Sequence, residues 1–105
     1  MTVARFDVYR NPDSGLGDDF PYLLDVQNTF IEVDTRAVVP LASPRYLSRL
    51  VRDLNPEVMV SGKPFVMHTS AIGAVPTSEL RRAVVNIADQ QLAIQHALDT
   101  LFGGY

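Results

Sequence analysis

The residues able to do chemistry in this 105-residue chain are few and separated. His68 lies in the strand-like run "PFVMHTS" and His96 in a helical stretch, with no cysteine and no Asp-His spacing near either. A metal site needs several nitrogen, sulfur or oxygen donors converging on one point, so neither histidine reads as a ligand or a catalyst. The carboxylates of Asp25, Glu32 and Asp34 are close in sequence, but acid–base work by a pair depends on spatial separation and on divergent pKa values. They read as solvated strand ends. The loop "DSGLGDD" lacks the Lys-Ser/Thr ending of a phosphate cradle. It also lacks the alternating oxygen ligands and final Glu of a calcium loop, so it reads as a connection. No catalytic residue, metal or cofactor is expected, and binding is the function class that remains.

Bulk properties narrow the partner. The formal net charge of −3, with arginines scattered from Arg5 to Arg82, gives no overall attraction to a phosphate backbone. No apolar run approaches the roughly 18 residues of a membrane span, and the start does not read as a secretory segment. The absence of cysteine fits a reducing compartment. These features predict one domain over residues 1–105 in the cytoplasm, without a membrane partner.

The elements that must hold a binding surface come from periodicity. "ARFDVY" alternates apolar and polar residues, placing Phe6 and Val8 on one strand face. "YLLDVQ", "RAVVPLA", "PEVMV" and "PFVMHTS" are further short apolar runs divided by turn residues, so four or five antiparallel strands are expected. "EVMV-SGK-PFVMH" reads as a hairpin with Gly62 at a positive-φ position. Pro40, which has no N–H, predicts an edge strand or a bulge at that point. Leu80, Val84, Ile87, Ile94, Leu98 and Leu101 then follow steps of three and four, Gln91 filling one place. The stripe predicts a main helix from Ile87 to Phe102, with "LRRAVV" extended or irregular before it and Gly103 and Gly104 ending it.

Two features stand out against this frame. Phe30 and Ile31 are adjacent large hydrophobes in a polar turn, so strand alternation turns one of them away from the core, unless a bend buries both. The chain also closes on "LFGGY", apolar and aromatic where polar fraying is usual. Both are candidate contact surfaces.

In order along the chain, "FDVYRNP", "PYLLDVQNTFIE", "TRAVVPLASP", "LNPEVMVSGKPFVMHT", "GAVPTSEL" and "AIQHALDTLFGGY" together resemble the CcdB toxins of bacterial toxin–antitoxin systems. The resemblance implies a mainly β fold, a small antiparallel barrel of the SH3-like, CcdB/MazF type with a carboxy-terminal α-helix, assembled as a homodimer. It implies no enzyme activity. The implied action is poisoning of DNA gyrase: the dimer lodges against the gyrase A subunit and traps the cleaved DNA complex. A CcdA-like antitoxin neutralises the toxin, and the resulting complex represses its own operon, often on a plasmid, so the toxin meets DNA only indirectly. By residue, the resemblance carries gyrase binding to Phe30, Ile31, Phe102, Gly103, Gly104 and Tyr105, and antitoxin binding to Tyr9 and Arg10.

One position departs from the family pattern. Gly103 stands where the best-known members have a tryptophan before the penultimate glycine. A ring stacked on an arginine is worth about 1–2 kcal/mol when desolvated. A relative that binds antitoxin but has lost or redirected gyrase poisoning is therefore the second reading, and a MazF-like endoribonuclease the third.

Overall fold

A computed structural model describes residues 3–13, 15, 18–46, 51 and 53–104. Among the described residues seven strands form one antiparallel sheet: β1 (Asp7–Arg10), β2 (Tyr22–Asp25), β3 (Thr35–Ala42), β4 (Glu57–Val60), β5 (Lys63–Met67), β6 (Gly73–Pro76) and β7 (Val85–Asn86). The α-helix α1 (Gln91–Phe102) follows. The path runs β4-β5-β3-β2-β1-β7, with β6 pairing β3 beside β5. This is the mainly β, barrel-like fold with a carboxy-terminal helix expected from the resemblance.

Alternation along the central strands buries both faces. Val8, Leu24, Val39 and Leu41 meet Ile94, Ala97 and Leu98 of α1 in the larger core, which also takes Phe6. Tyr9, Leu23, Val38 and Leu80 form a smaller one. Strands flanked by two cores carry near-continuous apolar runs, as "YLL" and "AVVPLA" do.

The β4–β5 hairpin is as expected, Ser61 (φ 51°) and Gly62 (φ 82°) both taking the left-handed region that a two-residue turn uses. Pro40 is where the expectation fails. It lies inside the central strand, neither on an edge strand nor at a bulge, its Cα opposite Leu23. The neighbour on its other side changes there: residues 35–38 of β3 pair with β6 and residues 41–42 with β5. The Val26 N–H bonds the Ala37 carbonyl at 3.0 Å, so alternation turns the missing donor of Pro40 away from β2, into the gap between those partners.

The helix begins four residues later than expected. The Val84 N–H donates to the Val8 carbonyl (2.7 Å) and the Ile87 N–H to the Phe6 carbonyl (2.9 Å), so this segment is an edge strand on β1. Leu80 packs beside Tyr9 instead of on a helix stripe. A 3₁₀ turn, Ala88–Gln90, then leads into α1. Its last residue helps close the barrel: the Gln90 amide accepts from the Met59 N–H at 2.8 Å and donates to the Met59 carbonyl at 2.9 Å. One side chain thereby satisfies the outer edge of β4, the strand opposite β7 in the sheet order.

Candidate functional site

The segment between β2 and β3 carries Phe30 and Ile31. An Asx turn shapes it, the Asn28 carboxamide accepting from the Phe30 N–H at 2.9 Å. Beneath lies a buried ion pair. Arg36 donates from Nε to Asp25 Oδ2 at 2.7 Å and from Nη2 to Asp25 Oδ1 at 2.9 Å, and both side chains are excluded from solvent. The same guanidinium reaches the carbonyls of Gln27 (3.0 Å) and Ile31 (3.3 Å). Burial pushes the Asp25 carboxyl above its ordinary range, while the Arg36 hydrogen bonds and the Gln27 N–H pull it back. Asp25 is thus a core anchor and not the solvated strand end its sequence position suggested. Glu32 and Asp34 are exposed.

On this anchored base both hydrophobes face solvent: Phe30 is 88% exposed and Ile31 49%, with Val33 beside them at 56%. The bend that would have buried the pair does not occur, because the loop spends its hydrogen bonds on Arg36, Asn28 and Gln27. An exposed apolar cluster on a pinned loop marks a contact surface.

The carboxy-terminal candidates sit on the end of α1. Phe102 is 68% exposed. Gly103 adopts the left-handed conformation (φ 69°, ψ 40°), and the Gly103 and Gly104 N–H groups both reach the Asp99 carbonyl, a Schellman-type ending. Tyr105 lies outside the described residues. A polar relay ties this end to the Phe30 loop. The Arg5 N–H donates to Thr29 Oγ1 (2.9 Å) and Arg5 Nη2 to Gln95 Oε1 (2.7 Å). Gln95 Nε2 in turn donates to Asp99 Oδ1 at 3.1 Å. Arg5, Arg36, Gln95 and Asp99 carry no motif; only a lone arginine among apolar residues, as in "RAVV", hints at a buried partner.

Tyr9 and Arg10 occupy a different place. Tyr9 is buried, its hydroxyl donating to Asp7 Oδ2 at 3.2 Å, whereas Arg10 is exposed. Burial, and then the Asp7 carboxylate, push the Tyr9 phenol well above its ordinary value. Both residues line a groove of about 630 Å³ with Ser78, Glu79, Arg81, Arg82 and Val84. The 3₁₀ turn Thr77–Glu79 separates this groove from the hollow under Phe30, which Thr77 lines.

Neither histidine lines the Tyr9 groove or the hollow under Phe30. The His68 ring stacks on Phe20, and its buried Nδ1 has no hydrogen-bond partner among the described residues. His96 meets Asp53 at 3.5 Å on the surface. Among the described residues no three His, Cys, Asp or Glu side chains gather as a metal site would require, and no helix is long and apolar enough to cross a membrane.

Comparison with protein families matches residues 5–104 to the family described as CcdB protein. The chain belongs to the CcdB family. The match covers both surfaces, from Arg5 of the relay to Gly104 of the helix end. Membership supports a toxin of a toxin–antitoxin system and implies an antitoxin and gyrase as partners in general. The CcdB residues reached through Gly104 thus include all the candidate contacts except Tyr105.

Proposed function

We propose that this CcdB-family chain is a gyrase poison, acting as a homodimer that docks Phe30, Ile31, Phe102, Gly103, Gly104 and Tyr105 against the gyrase A subunit. The observation that carries the reading is Phe30, 88% exposed on a loop held from below by a buried arginine. A ring kept in water on a pinned backbone is pre-organised for a partner and loses little entropy on binding. A two-fold axis presents each contact twice, which suits a two-fold target. The toxin supplies no bond-making group: by wedging against the subunit it stabilises the cleaved state and slows resealing. A CcdA-like antitoxin engages the Tyr9–Arg10 side, and DNA is met only through that complex.

Incubating the pure protein with gyrase and supercoiled plasmid tests this, with linear DNA released by denaturant as the readout. Phe30→Ala should weaken trapping at least tenfold, in keeping with the loss of a central aromatic contact. Deletion of residues 103–105 should abolish trapping yet leave folding and antitoxin binding intact. Full trapping by both variants refutes the surface. A monomer by light scattering at high micromolar concentration refutes the dimer.

Gly103 favours a second reading, in which the chain binds antitoxin without poisoning gyrase, because a glycine at the helix end offers no ring. Antitoxin capture with no trapped DNA would establish it. Cleavage of a mixed RNA substrate would instead reveal a MazF-like nuclease.

A further inference from the structure

We propose that the groove beside Arg10 takes an extended, carboxylate-rich peptide segment of a protein partner, which adds to the free edge of β1. This rests on the antitoxin reading of Tyr9 and Arg10 and supplies the chemistry of the segment bound there. Backbone without a backbone partner flanks the groove on two sides. Along β1 the Val84 N–H meets the Val8 carbonyl and the Ile87 N–H meets the Phe6 carbonyl, while the Asn11 N–H donates to Pro21 on the other side. Alternation therefore turns the N–H and C=O of Arg10 toward β7. β7 does not reach that far: its register pairs Asp7 with Asn86 and Val8 with Val85. Opposite, among the described residues, Arg81, Arg82 and Ala83 make no backbone hydrogen bond to another backbone group. β1 and the 81–84 segment diverge here and leave a slot of about 630 Å³ between them. A helix would satisfy its own backbone and leave both sides to water, whereas an extended segment matches them.

Charge selects what enters. Arg10, Arg81 and Arg82 stand on the rim, opposed among the described lining residues by one carboxylate, Glu79, on a molecule of net charge −3. The local sign is the reverse of the global one. Carboxylates spaced along an extended strand can meet the guanidinium groups while alternate apolar side chains rest on Pro12 and Val84. A nucleic-acid strand would offer the charge but no backbone row of N–H donors at strand spacing for the carbonyls at 81–83.

The test uses the full chain with three probes: a fluorescent (Glu-Val)₄ peptide, its (Lys-Val)₄ counterpart and an eight-nucleotide single-stranded DNA. The acidic peptide should bind, shift the amide resonances of Arg10 and residues 81–84, and weaken with salt. The double variant Arg81→Glu/Arg82→Glu should lose at least about tenfold in affinity, since each exposed charge contact contributes modestly and reversal counts twice. Preference for the lysine peptide or the oligonucleotide, or unmoved resonances at 81–84, would overturn the proposal. The antitoxin co-expressed from the neighbouring gene separates the two levels. If Arg10→Glu weakens it and the double variant does not, the antitoxin reading stands and the acidic-segment proposal fails. If neither variant weakens it, both fail.

Discussion

Arg5 Nη2 donates to Gln95 Oε1 at 2.7 Å, joining residues 90 positions apart and coupling the Phe30 loop to the end of α1. Phe6, next in the chain, takes a positive φ of 73° and turns its side chain into the core, while the Arg5 guanidinium lies 4.8 Å from its ring centroid. The Arg5 Nε also holds the Val26 carbonyl at 3.1 Å. One side chain therefore fixes where the loop leaves β2 and how it meets the helix.

Arg5→Met keeps the stem and removes the fork. Stability should fall by about 1–3 kcal/mol, the cost of losing hydrogen bonds from a charged group. Hydrogen exchange should quicken at residues 28–31 and 102–104 together. Arg5→Lys should not restore protection, because one ammonium cannot span Val26 and Gln95 as a planar fork does. Exchange that changes at only one of the two segments would disprove the coupling.

Removing one partner of the Arg36–Asp25 pair strands a buried charge. Arg36→Met should cost about 3–5 kcal/mol in urea unfolding, whereas Arg36→Met with Asp25→Leu should recover much of that loss, since a matched apolar pair leaves nothing uncompensated. In both variants Ile31 loses its carbonyl anchor, so gyrase trapping should stay impaired even where stability returns.

What the sequence made legible follows from the range of the forces involved. The β4–β5 hairpin was readable because turn chemistry is local, and so was the end of α1 at Gly103. The strands β6 and β7 were not. Their residues, "GAVP" and "VN", show no alternation and owe their conformation to pairing with β3 and β1. The same holds for Asp25, whose role is set by an arginine on the next strand, and for Arg5, whose partner lies at the far end of the chain. Phe30 and Ile31 were visible as misplaced hydrophobes, but their joint exposure depends on tertiary anchoring that no periodicity encodes.

Tyr9 gives the molecule an alkaline limit. A phenol whose pKa rises on folding holds its proton more tightly in the native state than in the unfolded chain. Its contribution to stability is complete below the unfolded value of about 10 and is lost as pH climbs toward the higher native value. Urea midpoints should accordingly fall from about pH 10 upward. Tyr9→Phe should flatten that slope while costing about 1 kcal/mol at neutral pH for the lost hydroxyl bond. An unchanged alkaline slope in the variant would place the titration on other groups.

Restoring the family's ring at position 103 sets two terms of similar size against each other. Gly103 has φ 69°, and a Cβ built there meets nothing within 4 Å, so the obstacle to Gly103→Trp is backbone conformation and not space. Holding an L-residue in the left-handed region costs about 1–2 kcal/mol. If the helix end refuses that cost, the Asp99 carbonyl loses its Schellman bonds and the tail takes another path. The stacked contact that a tryptophan could make is itself worth about 1–2 kcal/mol. Trapping by Gly103→Trp should therefore stay within a few-fold of the parent, while urea unfolding registers a loss of about 1 kcal/mol. Gly103→Asn, which tolerates the left-handed region better, should lose less stability and gain no trapping. A gain of a hundredfold by the tryptophan variant would mean that the glycine conformation is given up on binding and that a ring at position 103 adds far more to the contact than the backbone strain removes.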